Sequence, residues 1–296
     1  MRGPSEMTQG SSGSAAAPAP TVGGGRYRTS VVGVPARYIV GMRVDAVTYE
    51  DATRTILEWA RTRQSRYVCV ASVNNVIWSR DDPDFLAAMN AADIATPDGM
   101  PLVWALRLLG VNVAERVTGP VLMDVICQEA ARVGIPVGLY GSTEDVIFDL
   151  RRSLQMRHPT LEVALAEAPP FRSLSEEALE ATRSRIGESG VRILFVGLGA
   201  PKQERWMADN VMHVPCVMVG VGAAFDVLAG HTTRAPEWMQ SSGLEWAFRL
   251  AHEPRRLWRR YLIGNPRFAA LFTHQLLVRI ADRRMRDPIV RREGRR

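Results

Sequence analysis

Lysine is almost absent from this 296-residue chain: Lys202 is the only one among 37 basic residues, and the rest are arginines. Cysteine is scarce as well. Cys69, Cys127 and Cys216 stand far apart with no C-x-x-C pair, which excludes a disulfide framework and a cysteine-based zinc site, so they read as buried apolar thiols of a reducing compartment. Long apolar runs are missing too. Nothing approaches the about 18 uninterrupted apolar residues that a membrane-spanning helix requires, and the longest uncharged candidate, 214–225, is short and broken by glycines. The N-terminus lacks a basic start followed by a leucine-rich core, so no signal peptide is expected. Its Gly/Ser/Ala/Pro composition predicts a disordered lead over 1–30, and the expected place is the cytoplasm.

What is present is ordinary globular material, 46% hydrophobic and 23% charged, enough for a large α/β domain that needs no disulfide or metal for stability. The charge is unevenly spread. Residues 249–296 are net +10 in a chain whose total is +6, so the preceding body is net −4. A basic end on a mildly acidic body suits an anionic partner: lipid surface, phosphate-rich substrate or nucleic acid. No recognised nucleic-acid reading motif accompanies it, so no nucleic-acid partner is expected.

Short apolar segments such as "RYVCVASVNN", "IPVGLYGS", "VRILFVGLG" and "VPCVMVGVG" alternate with amphipathic stretches of helical length. That alternation predicts a Rossmann-like parallel β-sheet sandwiched by helices over 31–242. Ligands of such sheets bind at the carboxyl ends of the strands. The unusual residues collect there: Ser72, Asn74 and Asn75; Thr96, Asp98 and Gly99; Gly141 and Ser142; Gly197 and Gly199; Gly220 and Gly222. From Gly243 the character changes. Trp246, Phe248, Trp258, Tyr261 and Phe268 interleave with arginines at helical spacing, predicting a helical basic appendage over 243–281 and a basic, disordered tail over 282–296. Its helices suit either a membrane interface or packing on the body with a wet basic face.

Several motifs carry chemistry. "FVGLGAPKQE" places two glycines at a strand-to-helix turn whose free N–H groups suit an anion, with Lys202 and Gln203 in the first helical turn. "VGVGAAFD" repeats the design with Gly220, Gly222 and Asp226, and "GHTTRAPEW" supplies Arg234. "ATPDGMPLV" sets Asp98 in a turn, where Asp-Gly is ordinary turn chemistry or Asp98 is a general base at the sheet edge. Arg116 in "ERVTG" suits a carboxylate or phosphate, or a surface ion pair. "DDPD" looks like a metal-binding D-x-D signature, but Asp82 and Pro83 are what a helix start needs, so capping is expected and no metal or other cofactor. A nicotinamide-dependent oxidoreductase is the alternative. It needs an acid about 20 residues past the glycine loop at a strand end, whereas Asp226 follows Gly199 by 27 and opens a helix.

Taken in order, "ASVNN", "ATPDGMPLV", "ERVTG", "LYGS", "FVGLGAPKQE", "VGVGAAFD", "GxxxRAP" and "GLEWAFRLAHEPRRLWRRYL" resemble the WecG/TagA/CpsF family of bacterial glycosyltransferases, glycosyltransferase family 26. The resemblance implies transfer of a sugar, of the N-acetylmannosamine type or a related hexose, from a UDP-sugar to a polyprenyl-diphosphate-linked saccharide. It implies inversion, no metal, the inner membrane face, and a role in surface polysaccharide or teichoic-acid-type synthesis. It assigns Asp98 as the base, Arg116 and Gln203 to the catalytic pocket, and Ser72 and Asn74 to its Thr-x-Asn motif, here with serine in place of threonine. Gly141, Ser142, Gly197, Gly199, Lys202, Glu204, Gly220, Gly222, Asp226 and Arg234 are expected around the substrate. Arg249, Arg255, Arg256, Arg259 and Arg260 match the family's appendage, expected at the membrane and over the diphosphate. A homo-oligomer is compatible with the resemblance. Lys202 is expected where a compact ammonium must meet a diphosphate or a buried carboxylate without an arginine's planar bulk.

Overall fold

A hairpin of two short strands covers one edge of a parallel sheet. The computed structural model describes residues 34–286 apart from 113, 171–174, 237, 240 and 241. The expected disordered lead and the end of the basic tail lie outside the described residues. Strands β1 (Ala36–Ile39) and β2 (Met42–Asp45) pair antiparallel. The buried Asp45 carboxylate accepts from Ala95 N at 2.7 Å and from Arg43 Nη2 at 3.1 Å, which ties the hairpin to the main sheet. An otherwise open sheet edge is thereby covered.

The main sheet has six parallel strands in the order β4-β3-β8-β7-β5-β6: Ile94–Pro97, Arg66–Ala71, Val217–Gly220, Ile193–Gly197, Val137–Gly141 and Val163–Glu167. The four central strands read as continuous apolar runs because helices bury both of their faces. One face carries α1 (Tyr49–Arg61), α5 (Gly119–Val133), α6 (Glu144–Arg157) and α9 (Ala224–Leu228), with Ile56, Ile126, Leu150 and Phe225 in the core. The other carries α2 (Val73–Asp81), α3 (Pro83–Ala91), α4 (Met100–Leu108), α7 (Glu176–Glu188) and α8 (Lys202–Asn210), with Val76, Phe85, Leu106 and Met207 in the core. The Rossmann-like α/β architecture expected from the alternation is present.

Local signals set the helix starts. Thr48 accepts from Asp51 N at 3.1 Å, and Asp82 accepts from Phe85 N at 2.9 Å with Pro83 at the first helical position. The D-x-D-like stretch is therefore a helix cap, as its chemistry predicts. One element departs from expectation: "RYVCVASVNN" is expected as a strand throughout, but β3 ends at Ala71 and α2 begins at Val73. Ser72 N and Oγ both donate to Asn75 Oδ1, at 3.0 and 2.6 Å, and this local pairing turns the chain into helix.

Beyond Gly243 the chain is helical: α10 (Glu245–His252), α11 (Pro254–Trp258), a π turn (Arg259–Ile263) and α12 (Gly264–Arg286). Among the described residues no helix is long and apolar enough to cross a membrane. Helix α12 returns to the body. Phe268 and Phe272 enter the core beside α2. Arg267 forms two bonds to Asp81 at 2.6 and 2.5 Å, and Gln275 bridges Val40 N and Tyr38 O on the hairpin at 2.8 and 2.7 Å. Part of the appendage packs on the body, where Phe268 and Phe272 are buried, whereas Trp258, Leu262, Ile263 and Leu277 are exposed, as are Arg255 and Arg259.

Candidate functional site

Asp98 follows β4 directly, and its position is set by the sheet: Asp98 N donates to Ala71 O at 2.7 Å, continuing the β3–β4 ladder by one residue. The next residue, Gly99, has φ +117, a conformation open to glycine, and α4 then starts at Met100 with Pro101 in its first turn. The chain turns sharply here and leaves the Asp98 carboxylate at the carboxyl edge. Val117 N donates to Pro97 O at 2.9 Å, which brings Arg116 alongside. Tyr49 fixes the next residue, because its hydroxyl accepts from Thr118 N at 2.9 Å.

These segments and the appendage enclose a cavity of about 100 Å³. Ser72 and Asn74 line one side, Asp98 and Arg116 the floor, and Glu245, Arg249, Arg260 and Tyr261 the roof. Arg260 Nη2 donates to Ser72 Oγ at 3.5 Å. Two further cavities share lining residues with it. Asp98, Glu245 and Arg249 also border a space of about 40 Å³ with Thr118 and Arg234. Arg249 further borders an outer cleft of about 500 Å³ with Asp226, His231, Phe248 and His252. The outer cleft by itself has the size of a small-molecule site.

The electrostatics oppose one another in a useful way. Burial pushes the Asp98 carboxyl above its usual range, and Glu245 adds to the rise, while Arg116, Arg249 and Arg260 restrain it. The side chain keeps 32% exposure toward the cavity, so entering solvent or substrate reaches it. Arg116 is 16% exposed. Burial works against its charge, but Asp98 and Glu245 outweigh that and raise its pKa. Arg249 behaves likewise: burial disfavours its cation, and Tyr261, Glu245 and Asp98 restore it. A carboxylate held basic beside guanidinium groups can take a proton from an alcohol while the cations steady a departing anion.

The residues expected from sequence divide into groups. Asp98, Arg116, Ser72, Asn74, Arg249 and Arg260 meet at the first cavity, Arg234 joins at the second and Asp226 at the outer cleft. Gln203 and Glu204 lie beneath the edge, buried. Gln203 Nε2 donates to Glu204 Oε1 at 3.0 Å and Asn75 Nδ2 donates to the same oxygen at 3.3 Å, so they brace α8 against the start of α2. Burial raises the Glu204 carboxyl above its normal range, against the bonds from its own backbone, Gln203 and Asn75.

The glycines have structural work. A Cβ on Gly141 would strike the Gly197 backbone, and one on Gly197 would come within 2.6 Å of Phe225. Ser142 N donates to Gly197 O at 3.1 Å. Gly220 faces Met207 and Gln203, and Gly222 has φ +54 above the Gln203 amide. Gly199 turns the chain into α8 with φ +76. None of these lines the cavity at Asp98, and neither does Lys202, which is exposed at the start of α8. Arg255 and Arg259 are also exposed, the latter with its guanidinium 5.3 Å from the Trp258 ring centre. The Arg256 side chain lies outside the described residues.

Sequence reasoning missed Glu245. It pairs with Arg116 Nη2 and lies 3.6 Å from Arg249 Nε, and it borders two of the cavities. A signal was available: Glu245 is an acid at the head of the most basic part of the chain. The model of the family described as Glycosyl transferase WecG/TagA/CpsF matches residues 37–282, a span that takes in both the sheet and the appendage.

Proposed function

This chain belongs to the WecG/TagA/CpsF family of glycosyl transferases, which serve cell-surface polysaccharide or teichoic-acid synthesis, and on that premise we propose that it is an inverting, metal-independent hexosyltransferase acting on a UDP-sugar and a polyprenyl-diphosphate-linked saccharide. The observation that carries the reading is one cavity at the sheet's carboxyl edge where Asp98 faces Arg116, Arg249 and Arg260. In the reaction, Asp98 takes the proton of the acceptor hydroxyl as its oxygen attacks the anomeric carbon. The bond from that carbon to the diphosphate oxygen breaks, and UDP leaves with the bonding pair. Attack opposite the leaving group inverts the centre. Positive charge beyond the sugar, from Arg249 and Arg234, favours the growing negative charge of the diphosphate more in the transition state than in the bound donor.

The chain of cavities supports an order along the donor: sugar at Asp98, diphosphate past Arg249 and Arg234, nucleoside in the outer cleft with Asp226 toward the ribose hydroxyls. Gln203 and Glu204 contribute from below, by holding α8 and α2 in register. The exposed Trp258, Leu262 and Ile263 beside Arg255 and Arg259 suit a peripheral seat on an anionic lipid surface, where a lipid-linked acceptor resides. The nicotinamide reading has no comparable support, because Asp226 stands in α9 and not at a strand end.

The test is a panel of UDP-sugars against a short-chain lipid-diphosphate saccharide, with UDP release and product stereochemistry as readouts. A β product from an α-linked donor, formed in the presence of a chelator, is the expected result. Release that depends on a divalent ion, retention at the anomeric centre, or turnover only with reduced nicotinamide would overturn it.

A further inference from the structure

Two carboxylates compete for one guanidinium in the first cavity. Arg116 Nη2 makes its close contact with Glu245, while Arg116 Nε stands 3.9 Å from Asp98 Oδ1, beyond hydrogen-bond reach. Glu245 is anchored from the other side by Arg249, 3.6 Å away and one turn later on the same helix. All three charged groups are well covered, with 16, 26 and 31% of the Arg116, Glu245 and Arg249 side chains exposed. An arginine fork left alone with a carboxylate closes on it through two parallel bonds and occupies both oxygens. Asp98 is spared that closure here.

We propose that Glu245 is a positioning residue of the transfer site: it takes the close contact of Arg116, holds that guanidinium off Asp98, and leaves the aspartate's lone pairs open to the acceptor hydroxyl. The inference rests on the reading of Asp98 as the base. It also gives the appendage a task besides covering the cavity, because Glu245 opens α10 and reaches Arg116 only when that helix is seated. The groups facing Asp98 are Arg116 ahead of α5, Glu245 and Arg249 on α10, Arg260 on the π turn and the Tyr49 phenol on α1. Of these only Glu245 is a carboxylate, so its removal has a defined sign. Like-charge repulsion disappears and Arg116 is released toward Asp98, and both changes make Asp98 a weaker base.

The experiment follows kcat/KM against pH for the full chain and for Glu245→Gln and Glu245→Asp. The acid limb of E245Q is expected to move down by about half a pH unit or more, from a like charge lost at short range in a partly wet site. Turnover is expected to fall about tenfold, in the range by which base strength and alignment affect proton transfer. UDP affinity by calorimetry stays within about threefold, because Arg116 and Arg249 remain. E245D keeps the charge and the wild-type limb. Glu245→Ala replaces the glutamine variant if that protein lacks a cooperative melt. An acid limb that does not move in the glutamine or alanine variant, or one that moves equally in E245D, overturns the proposal. Transfer surviving in Asp98→Asn overturns instead the assignment of the base on which it stands.

Discussion

Replacing Asp98 by asparagine should cost the protein its activity and make it slightly more stable. The carboxyl is raised above its usual range by burial, with Glu245 adding to the effect, and the fold therefore holds the neutral acid better than the anion. The sign follows from proton linkage. A carboxyl with a folded pKa above its unfolded value costs stability above the folded pKa, and the cost vanishes below the unfolded one. Each unit of such a shift is about 1.4 kcal/mol, and the 32% exposure of the side chain calls for a discount. A small gain in stability, seen as a rise in Tm, is therefore expected at pH 8. The gain should shrink as the pH falls, because wild type then becomes protonated and matches the amide. Transfer should drop by about 10²–10⁴, the usual worth of a positioned base, with UDP binding unchanged. Scanning calorimetry at pH 8 and at a pH near about 3.5, below the unfolded carboxyl pKa, with UDP-release kinetics measures all three. A destabilised D98N protein, or one with equal gain at both pH values, would refute the electrostatic reasoning. Lost UDP binding would assign Asp98 a structural role.

Glu204→Gln should also stabilise the fold at neutral pH, since its buried carboxyl is raised and the amide oxygen still accepts from Asn75 and Gln203; a chemical melt at pH 7.5 that shows a loss of stability would contradict this. Phe272→Ala removes a ring that stacks on Phe268 and is 7% exposed, and should cost about 3 kcal/mol while exposing the α12 region to protease. An unchanged Tm and cleavage pattern would mean that the appendage is not held by that core. Arg116→Lys replaces the planar fork that meets Glu245 and should lower turnover by about 10–100-fold even though the charge is kept; steady-state kinetics within twofold of wild type would show that charge alone suffices. Lys202→Arg should leave UDP affinity and turnover within about twofold, because Lys202 is exposed and outside the cavity. A larger loss would revive the need for a compact ammonium there.

Much of the scaffold was legible because its causes are local. The β-branched runs of β3, β7 and β8, the Thr48 and Asp82 caps and the Gly134 helix end at φ +66 are each written within a few residues. Helix α2 was missed for the opposite reason. Both of its sides are covered, with Asn74, Asn75 and Ser79 buried beside Val76 and Ile77, so no polar stripe announces its period. The glycine turns have a packing cause as well as the phosphate-cradle reading. At Gly141 and Gly197 the missing side chain makes room for a neighbouring strand or ring, and nothing in a G-x-G spacing separates that need from close approach of a ligand.

By itself the sequence determined the alternation of strands and helices, the carboxyl edge as the place for polar residues, the capping role of Asp82, and Asp98 and Arg116 as groups worth following. Side-chain periodicity, turn chemistry and capping act over one to four residues, so a single chain read in order displays them. Only the tertiary structure decided which of those groups share a cavity. Ser72, Asp98 and Arg116 converge through the β3–β4 ladder, and Glu245, Arg249 and Arg260 arrive from more than a hundred residues away because Phe268 and Phe272 bury themselves in the body. Burial sets the protonation of Asp98 and Glu204, and a partner distant in sequence sets where Arg116 points. Those are long-range packing outcomes, and no local pattern encodes them.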